Sequence, residues 1–350
     1  MMRRLVPLAA AVLVLGAAGC GSTPATNGSG AAGTEGGKGP SAAVKPLTAD
    51  EARRVAADVD KRAGQESQDP EVIKGYAEGP WLDHLLAAAE NGRKYGTGAP
   101  PEPTNSPEVA PGVHAWAGAG TGAGERWILA AGEVSSHTVG ASQNAAEMRW
   151  SLHHEGKDGT WRAAFRAHAP TAGALPAPAV RPDGQAVTGG DTSKLAADPA
   201  EVCGRYFDYR NSKDGTDASD AGWGADIDAA RVKMAEGRKR LPERLDNPKS
   251  LTTEQQPTRT PYGPLWRTAD GGALVACLSV NTATVDMGPG RYQTFSSSGW
   301  SGTTGIRWSR YTQTQLSMTM LKIPAGPGEV SVGAEASWPY TFDGTRYDGG

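Results

Sequence analysis

Beyond residue 46 the apolar positions switch twice from a helical period to a strand period. Thr48 and Glu51 have the spacing of a capping box, in which each side chain satisfies the other's backbone N–H, so a helix is expected from Ala49 to about Arg62. A second is expected from about Pro70 to Asn91, with Trp81, Leu82, Leu85 and Leu86 along one side. After a proline-rich break at 99–111, Trp127 and Leu129, then Met148, Trp150 and Leu152, then Trp161 and Phe165 recur at period two between polar neighbours. That pattern predicts half-buried antiparallel strands, with Lys157–Gly159 turning between the last two.

Residues 171–190 are rich in Pro, Ala and Gly, which marks a domain boundary. Asp198 then has the character of a helix N-cap, with Pro199 at the first helical position and Glu201 at the third. A further helix is expected over Ala225–Leu241, followed by strands at Pro264–Thr268, Ala273–Val280, Arg291–Ser296, Arg307–Ile323 and Val330–Phe342. Asp270 and Gly271 supply a hairpin signal between the first two. In the last strand Val330, Val332, Ala334, Ala336 and Trp338 alternate with Ser331, Gly333, Glu335 and Ser337, so one face is expected buried and the other wet. The order of helices then strands thus occurs twice, which predicts an α+β fold of two successive domains, 47–175 and 191–350.

The first 19 residues are different. Arg3 and Arg4 precede an uncharged run from Leu5 to Gly19, the layout of a signal peptide. The run falls short of the ~20 residues that a helix needs to cross the hydrocarbon core. Its end, Ala17, Ala18, Gly19 and Cys20, resembles the bacterial lipobox, with Ala17 standing where leucine is commonest. The resemblance implies a lipoprotein whose Cys20 carries acyl chains such as palmitate, held at the outer face of the cell membrane. Residues 20–46 then serve as the lipidated cysteine and a flexible linker, being mostly Gly, Ser, Thr and Ala.

Without the leader's two arginines, the chain's 35 Lys and Arg fall to 33 against 38 Asp and Glu. A mildly acidic chain with no basic run argues against a nucleic-acid partner. Besides Cys20 there are Cys203 and Cys277, which either close a disulfide in an oxidising compartment or stay as two buried thiols. Their spacing fits no paired-cysteine zinc signature.

A curved antiparallel sheet wrapped on helices resembles the cone-shaped fold of nuclear transport factor 2 and ketosteroid isomerase. Taken whole, the chain also resembles a family of uncharacterised lipoproteins from high-GC Gram-positive bacteria. That likeness rests on Arg126, Trp127 and Ile128, on the Asp158, Gly159, Trp161 hairpin, and on Asp270, Gly271, Gly272, Ala273 and Leu274. It implies architecture and placement and supplies no reaction.

Catalytic spacing is scarce. There is no Gly-x-Ser-x-Gly elbow, no serine followed three residues later by lysine, and Ser301 lies in an incomplete Gly299–Gly302 match. His153 and His154, adjacent on a predicted strand, point to opposite faces and cannot share a metal ion; His168 is placed on a wet face. Tyr206, Asp208, Tyr209, Trp223, Asp226 and Asp228 cluster on or between the helices that would close the second cone. A carboxylate and a phenol in such a cavity could run an isomerase or hydrolase, yet a helix sets Tyr206 and Asp208 about 200° apart, and Tyr209 is the better companion to Tyr206. The reading is therefore a non-enzymatic module with no cofactor and no metal, capturing a small ligand, a protein or a cell-wall component. Its second cleft would be lined by Tyr206, Tyr209, Trp223, Trp266 and Trp308. A scaffold for envelope assembly is the other class.

Overall fold

The computed structural model describes residues 46–64, 68–95, 113–120, 122, 124–135, 146–169, 175–212, 222–295 and 303–349. The leader, Cys20, nearly all of the linker, the proline-rich break and Ser301 lie outside these residues.

Helix α1 (Ala49–Ala63) starts at Thr48, and the capping box closes in both directions. The expected second helix is two, α2 (Pro70–Lys74) and α3 (Gly79–Tyr95). The interruption has a cause: Tyr76–Glu78 leave the helix to bond strand β4 (Trp161–Ala169), Ala163 N–H donating to Tyr76 O at 2.8 Å and Glu78 N–H to Ala163 O at 2.9 Å. Gly79 then restarts the helix at φ +53°, where a Cβ would collide with the Tyr262 hydroxyl, so only glycine fits.

Strands β1 (His114–Ala119), β2 (Arg126–Ser135), β3 (Ala146–Glu155) and β4 form an antiparallel meander. Helices α4 (Pro199–Arg210) and α5 (Ala225–Arg244) follow, then β5 (Ser250–Pro257), β6 (Tyr262–Arg267), β7 (Ala273–Asp286), β8 (Gln293–Thr294), β9 (Arg307–Ile323) and β10 (Ser331–Arg346). Asp198 caps α4 as expected, accepting from Ala200 N–H. β1 and β5 were not expected: β1 is short and small-residue rich, and β5 is a polar outer strand with no apolar period. The strand expected over Arg291–Ser296 shrinks to β8.

All ten strands share one open antiparallel sheet, ordered β1-β2-β3-β4-β10-β9-β7-β5, with β6 beside β7 and β8 beside β9. The α+β expectation holds in that form. The two meanders meet where β4 lies against β10, at the pair His168 and Glu335. Residues from the expected boundary stitch the halves together: Ala186 N–H donates to Ala117 O of β1 at 2.7 Å, while Ala179 and Gly189 bond Arg267 and Leu265 of β6, each at 2.8 Å.

The main core draws on both meanders, joining Trp127, Leu129, Trp150, Leu152 and Phe165 to Trp266, Leu274, Met318 and Met320. On the other side of β1 and β2, α1 lays Ala52 and Ala56 over Ala115, Ala117, Ile128 and Ala130. The inner strands are consequently buried on both faces rather than half-buried, and Ala163–Ala167 are five successive buried residues. β10 departs from its expected single apolar face as well. A bulge between Val332 and Ala334 sends Val332 toward α4 and α5 but Ala334 and Trp338 into the main core. Gly333 sits at that bulge against Leu175, with no room for a Cβ.

Candidate functional site

The structure brings three of the five expected cleft residues together. Tyr206 and Trp223 lie 6.2 Å apart and Tyr209 stacks on Trp223 at 5.6 Å, in a cluster that also holds Cys203, Cys277 and Val275. Cys203 and Cys277 are joined as a disulfide, tying α4 to β7 with Cα atoms 5.3 Å apart. Trp266 belongs to the main core, and Trp308 packs with Tyr95 and Phe342 in a third cluster. The expectation that Trp223, Trp266 and Trp308 line one cleft is therefore corrected: each fills a different part of the interior, because burying a large ring gains more than exposing it. Asp208 points outward to Arg259, opposite Tyr206, as the helical geometry required. Asp226 accepts from Val332 N–H at 2.7 Å and Asp228 accepts from the Tyr209 hydroxyl.

A different constellation carries polar chemistry in the second half. Along the β7 face beneath α4 and α5, Val275 and Cys277 at one end and Ala283 and Val285 at the other are apolar; Ser279 and Asn281 lie between them. Register continues this belt across the sheet, with Ser279 opposite Ser317, Asn281 opposite Gln315 and Gln255 opposite Asn281. Ser279, Asn281 and Ser317 are 1%, 4% and 2% exposed. Asn281 Nδ2 donates to Ser317 Oγ at 3.0 Å, Gln255 Nε2 donates to Ser279 Oγ at 3.2 Å, and Asn211, the C-cap of α4, donates to Gln255 Oε1. Asn281 Oδ1, Gln315 Oε1 and Asn211 Oδ1 are buried without a hydrogen-bond partner among the described residues. Such an unmet acceptor costs about 1–3 kcal/mol.

Over this floor, Arg210 donates to the Tyr206 hydroxyl at 2.6 Å and pairs with Glu335. Burial drives the Tyr206 phenol well above its ordinary range, so it stays protonated. The signal for the belt was present in the chain: Gln313, Gln315, Ser317 and Thr319 recur at period two inside a long strand that ends in apolar residues. A search led by aromatic residues passes over it.

The first half holds a buried ionic cluster. Asp60, near the end of α1, accepts from Arg149 Nη2 of β3 at 2.6 Å and from Arg166 Nη2 of β4 at 2.8 Å. These side chains are 8%, 6% and 5% exposed. The Arg166 guanidinium also lies 5.0 Å from the Trp81 ring centroid. Burial, aided by Arg166, lowers the Arg149 pKa to about 10, and burial lowers that of His153 to about 4. His153 Nε2 is 2.9 Å from Ser151 Oγ, which invites comparison with a nucleophile and its base. The arrangement lacks the rest of a triad: His153 is fully buried, its Nδ1 has no hydrogen-bond partner among the described residues, and Asp60 is held by two arginines. His154, on the opposite face, pairs with Glu78 at 2.5 Å, and that hydrogen bond raises its pKa. His168 is half-buried beside Trp338 rather than fully wet. Among the described residues no three His, Cys, Asp or Glu side chains gather as metal ligands, and no helix is long and apolar enough to cross a membrane.

These features define an α+β protein built on one antiparallel sheet, with a helix-covered polar floor and, among the described residues, no assembled nucleophile. The chain belongs to the family described as domain of unknown function DUF8094, whose model matches residues 43–337 and so runs through both halves. No curated protein matches it.

Proposed function

We propose that this chain is an exported lipoprotein, tethered through Cys20 to the outer face of the cell membrane, that captures a polar ligand on the belt beneath α4 and α5. The observation that carries the capture reading is the polar row of Gln255, Asn281, Gln315 and Ser317 between apolar ends of the face beneath α4 and α5, where amide oxygens on Asn281, Gln315 and Asn211 have no donor among the described residues; a ligand reaches them once α4 and α5 lift from the sheet. The Cys203–Cys277 disulfide suits an oxidising compartment and supports export. We read the two halves, 47–175 and 191–350, as cone-like units in the manner of nuclear transport factor 2, joined edge to edge through β4 and β10. Capture is preferred to catalysis because Tyr206 and Asp208 face opposite ways and Asp60, the carboxylate nearest the Ser151–His153 pair, is held by two arginines.

Two measurements test this. Cys20→Ser should move the protein from the membrane fraction to the soluble extracytoplasmic fraction; unchanged membrane association would refute the tether. In a thermal-shift screen of the full chain in detergent against polar small molecules and wall fragments, a stabilising compound should lose its effect in Asn281→Leu. A uniformly silent screen would refute capture.

A further inference from the structure

Positive charge gathers at one end of the molecule, where Leu241 and Leu245 of α5 and Tyr95 of α3 pack on Trp308, Tyr311 and Phe342. The rim of this small core is cationic. α5 and the turn after it supply Lys239, Arg240, Arg244 and Lys249, all exposed, and Lys249 lies against Gly288 just past β7. Arg291 ties the two segments together, donating Nη1 to Asn247 O at 2.7 Å and pairing with Asp246. In β9 a register slip opposite Thr345 and Arg346 turns both Trp308 and Tyr311 into the core, which leaves Arg307 and Arg310 exposed beside Arg346. Arg93 and Lys94 join from the end of α3, Lys94 pairing with Asp343 at 2.7 Å. Among the described residues of this end, ten basic side chains thus stand against five acidic ones, Glu243, Asp246, Asp286, Asp343 and Asp348. The chain after its leader holds five more acidic than basic side chains, so its charge is polarised toward this end. Counting Glu102 and Glu108 of the segment after Tyr95 against it leaves the balance positive.

An aromatic pair accompanies the charge. Tyr292 is 40% exposed, its ring lies 5.1 Å from that of Tyr347, and the Arg307 guanidinium sits 4.8 Å from the Tyr292 ring. A small anion would engage one or two of these dispersed cations, whereas a charged surface meets them together. Basic side chains around exposed tyrosines suit an anionic lipid surface, because the cations are drawn to phosphates and the amphipathic rings settle at headgroup level. Resting on the tether proposed above, we infer that this end lies against the anionic leaflet to which Cys20 fastens the chain. The linker at 20–46 has a contour of about 90 Å, longer than the roughly 55 Å of β9, so the tether leaves this end free to reach the bilayer.

To test this, the lipidated full chain is reconstituted into phosphatidylcholine vesicles and into vesicles of equal parts phosphatidylcholine and phosphatidylglycerol. Flotation reads the tether, and hydrogen–deuterium exchange reads which surface is covered. A Lys or Arg near an anionic surface is worth about fivefold in binding, so peptides spanning 239–250 and 286–295 should exchange at least about fivefold more slowly on the anionic vesicles. About 0.5 M potassium chloride, which shortens the screening length to about 4 Å, should remove the difference. The triple variant Arg244→Gln, Lys249→Gln, Arg346→Gln should remove it too while still floating; circular dichroism melting reports whether the variant is folded. Flotation with both vesicles but equal exchange would overturn the surface and leave the tether standing, whereas flotation with the anionic vesicles alone would overturn the tether and leave the surface. Flotation with neither would sink both. Equal slowing by dissolved poly(glycerol phosphate) at matched phosphate would overturn the bilayer as the partner.

Discussion

Replacing Asp60 by asparagine removes one negative charge from between two buried guanidinium groups while keeping the side chain's size. Asp60 contacts Arg149 at 2.6 Å and Arg166 at 2.8 Å, and none of the three side chains is more than 8% exposed. At an effective dielectric of about 20, unit charges roughly 4 Å apart attract by about 4 kcal/mol, so two such attractions vanish together. The desolvation of both arginines remains, and they then face each other uncompensated. Removing one partner of a buried ion pair costs about 3–5 kcal/mol, and the upper part of that range is expected because one carboxylate serves two cations. Against a typical total of about 5–15 kcal/mol, the loss is a large share of the protein's stability. Urea unfolding of the wild type and D60N, followed by tryptophan fluorescence, measures it. Adding Arg166→Met to D60N should recover at least about 1 kcal/mol relative to the sum of the single changes, since one of the stranded charges is gone. A D60N protein within 1 kcal/mol of wild type, or strict additivity in the double variant, would show that the carboxylate does not neutralise the pair.

The fully buried His153 makes stability depend on pH in a fixed direction. Its pKa falls from an ordinary 6.5 to about 4 in the folded state, so between those values the unfolded chain binds the extra proton and acidification favours unfolding. The wild type should lose about 3 kcal/mol more than His153→Gln between pH 7 and pH 4 in denaturant titrations; parallel pH curves would refute it. The disulfide closes a loop of 74 residues. Its removal in a Cys203→Ala, Cys277→Ala double variant should cost about 4 kcal/mol by chain entropy, and thiol labelling of the unfolded, unreduced wild type should find neither cysteine free.

Local signals were the legible part. The capping box at Thr48, the Asp198–Pro199 helix start and the Asp158–Gly159 hairpin are each written within a few residues, and each forms. Long-range features were not legible in the same way. The break before α3 depends on Ala163 of β4, far away in the chain, which Tyr76 and Glu78 leave the helix to bond. The strand period of β2–β4 shows which residues alternate but not that α1 covers their second face. At the site, the helical angle between Tyr206 and Asp208 was readable and correct. The Asp60 cluster was hidden because its members come from three elements and meet only through packing. The belt was half visible, as polar residues at strand period, but only register reveals that Gln255, Asn281 and Gln315 form one row.

The seam between β4 and β10 has a consequence for how this molecule comes into being. The N-terminal meander can form as soon as residues 114–169 are free to pair, but the neighbour of β4 is β10, the last of the described strands. Until residues 331–346 emerge, β4 is a bare edge able to pair with another molecule, and half of the shared interior has no opposite wall. Completion of the fold is therefore a late, all-or-nothing event, and an unfinished copy is the form that a cell would need to shield or degrade.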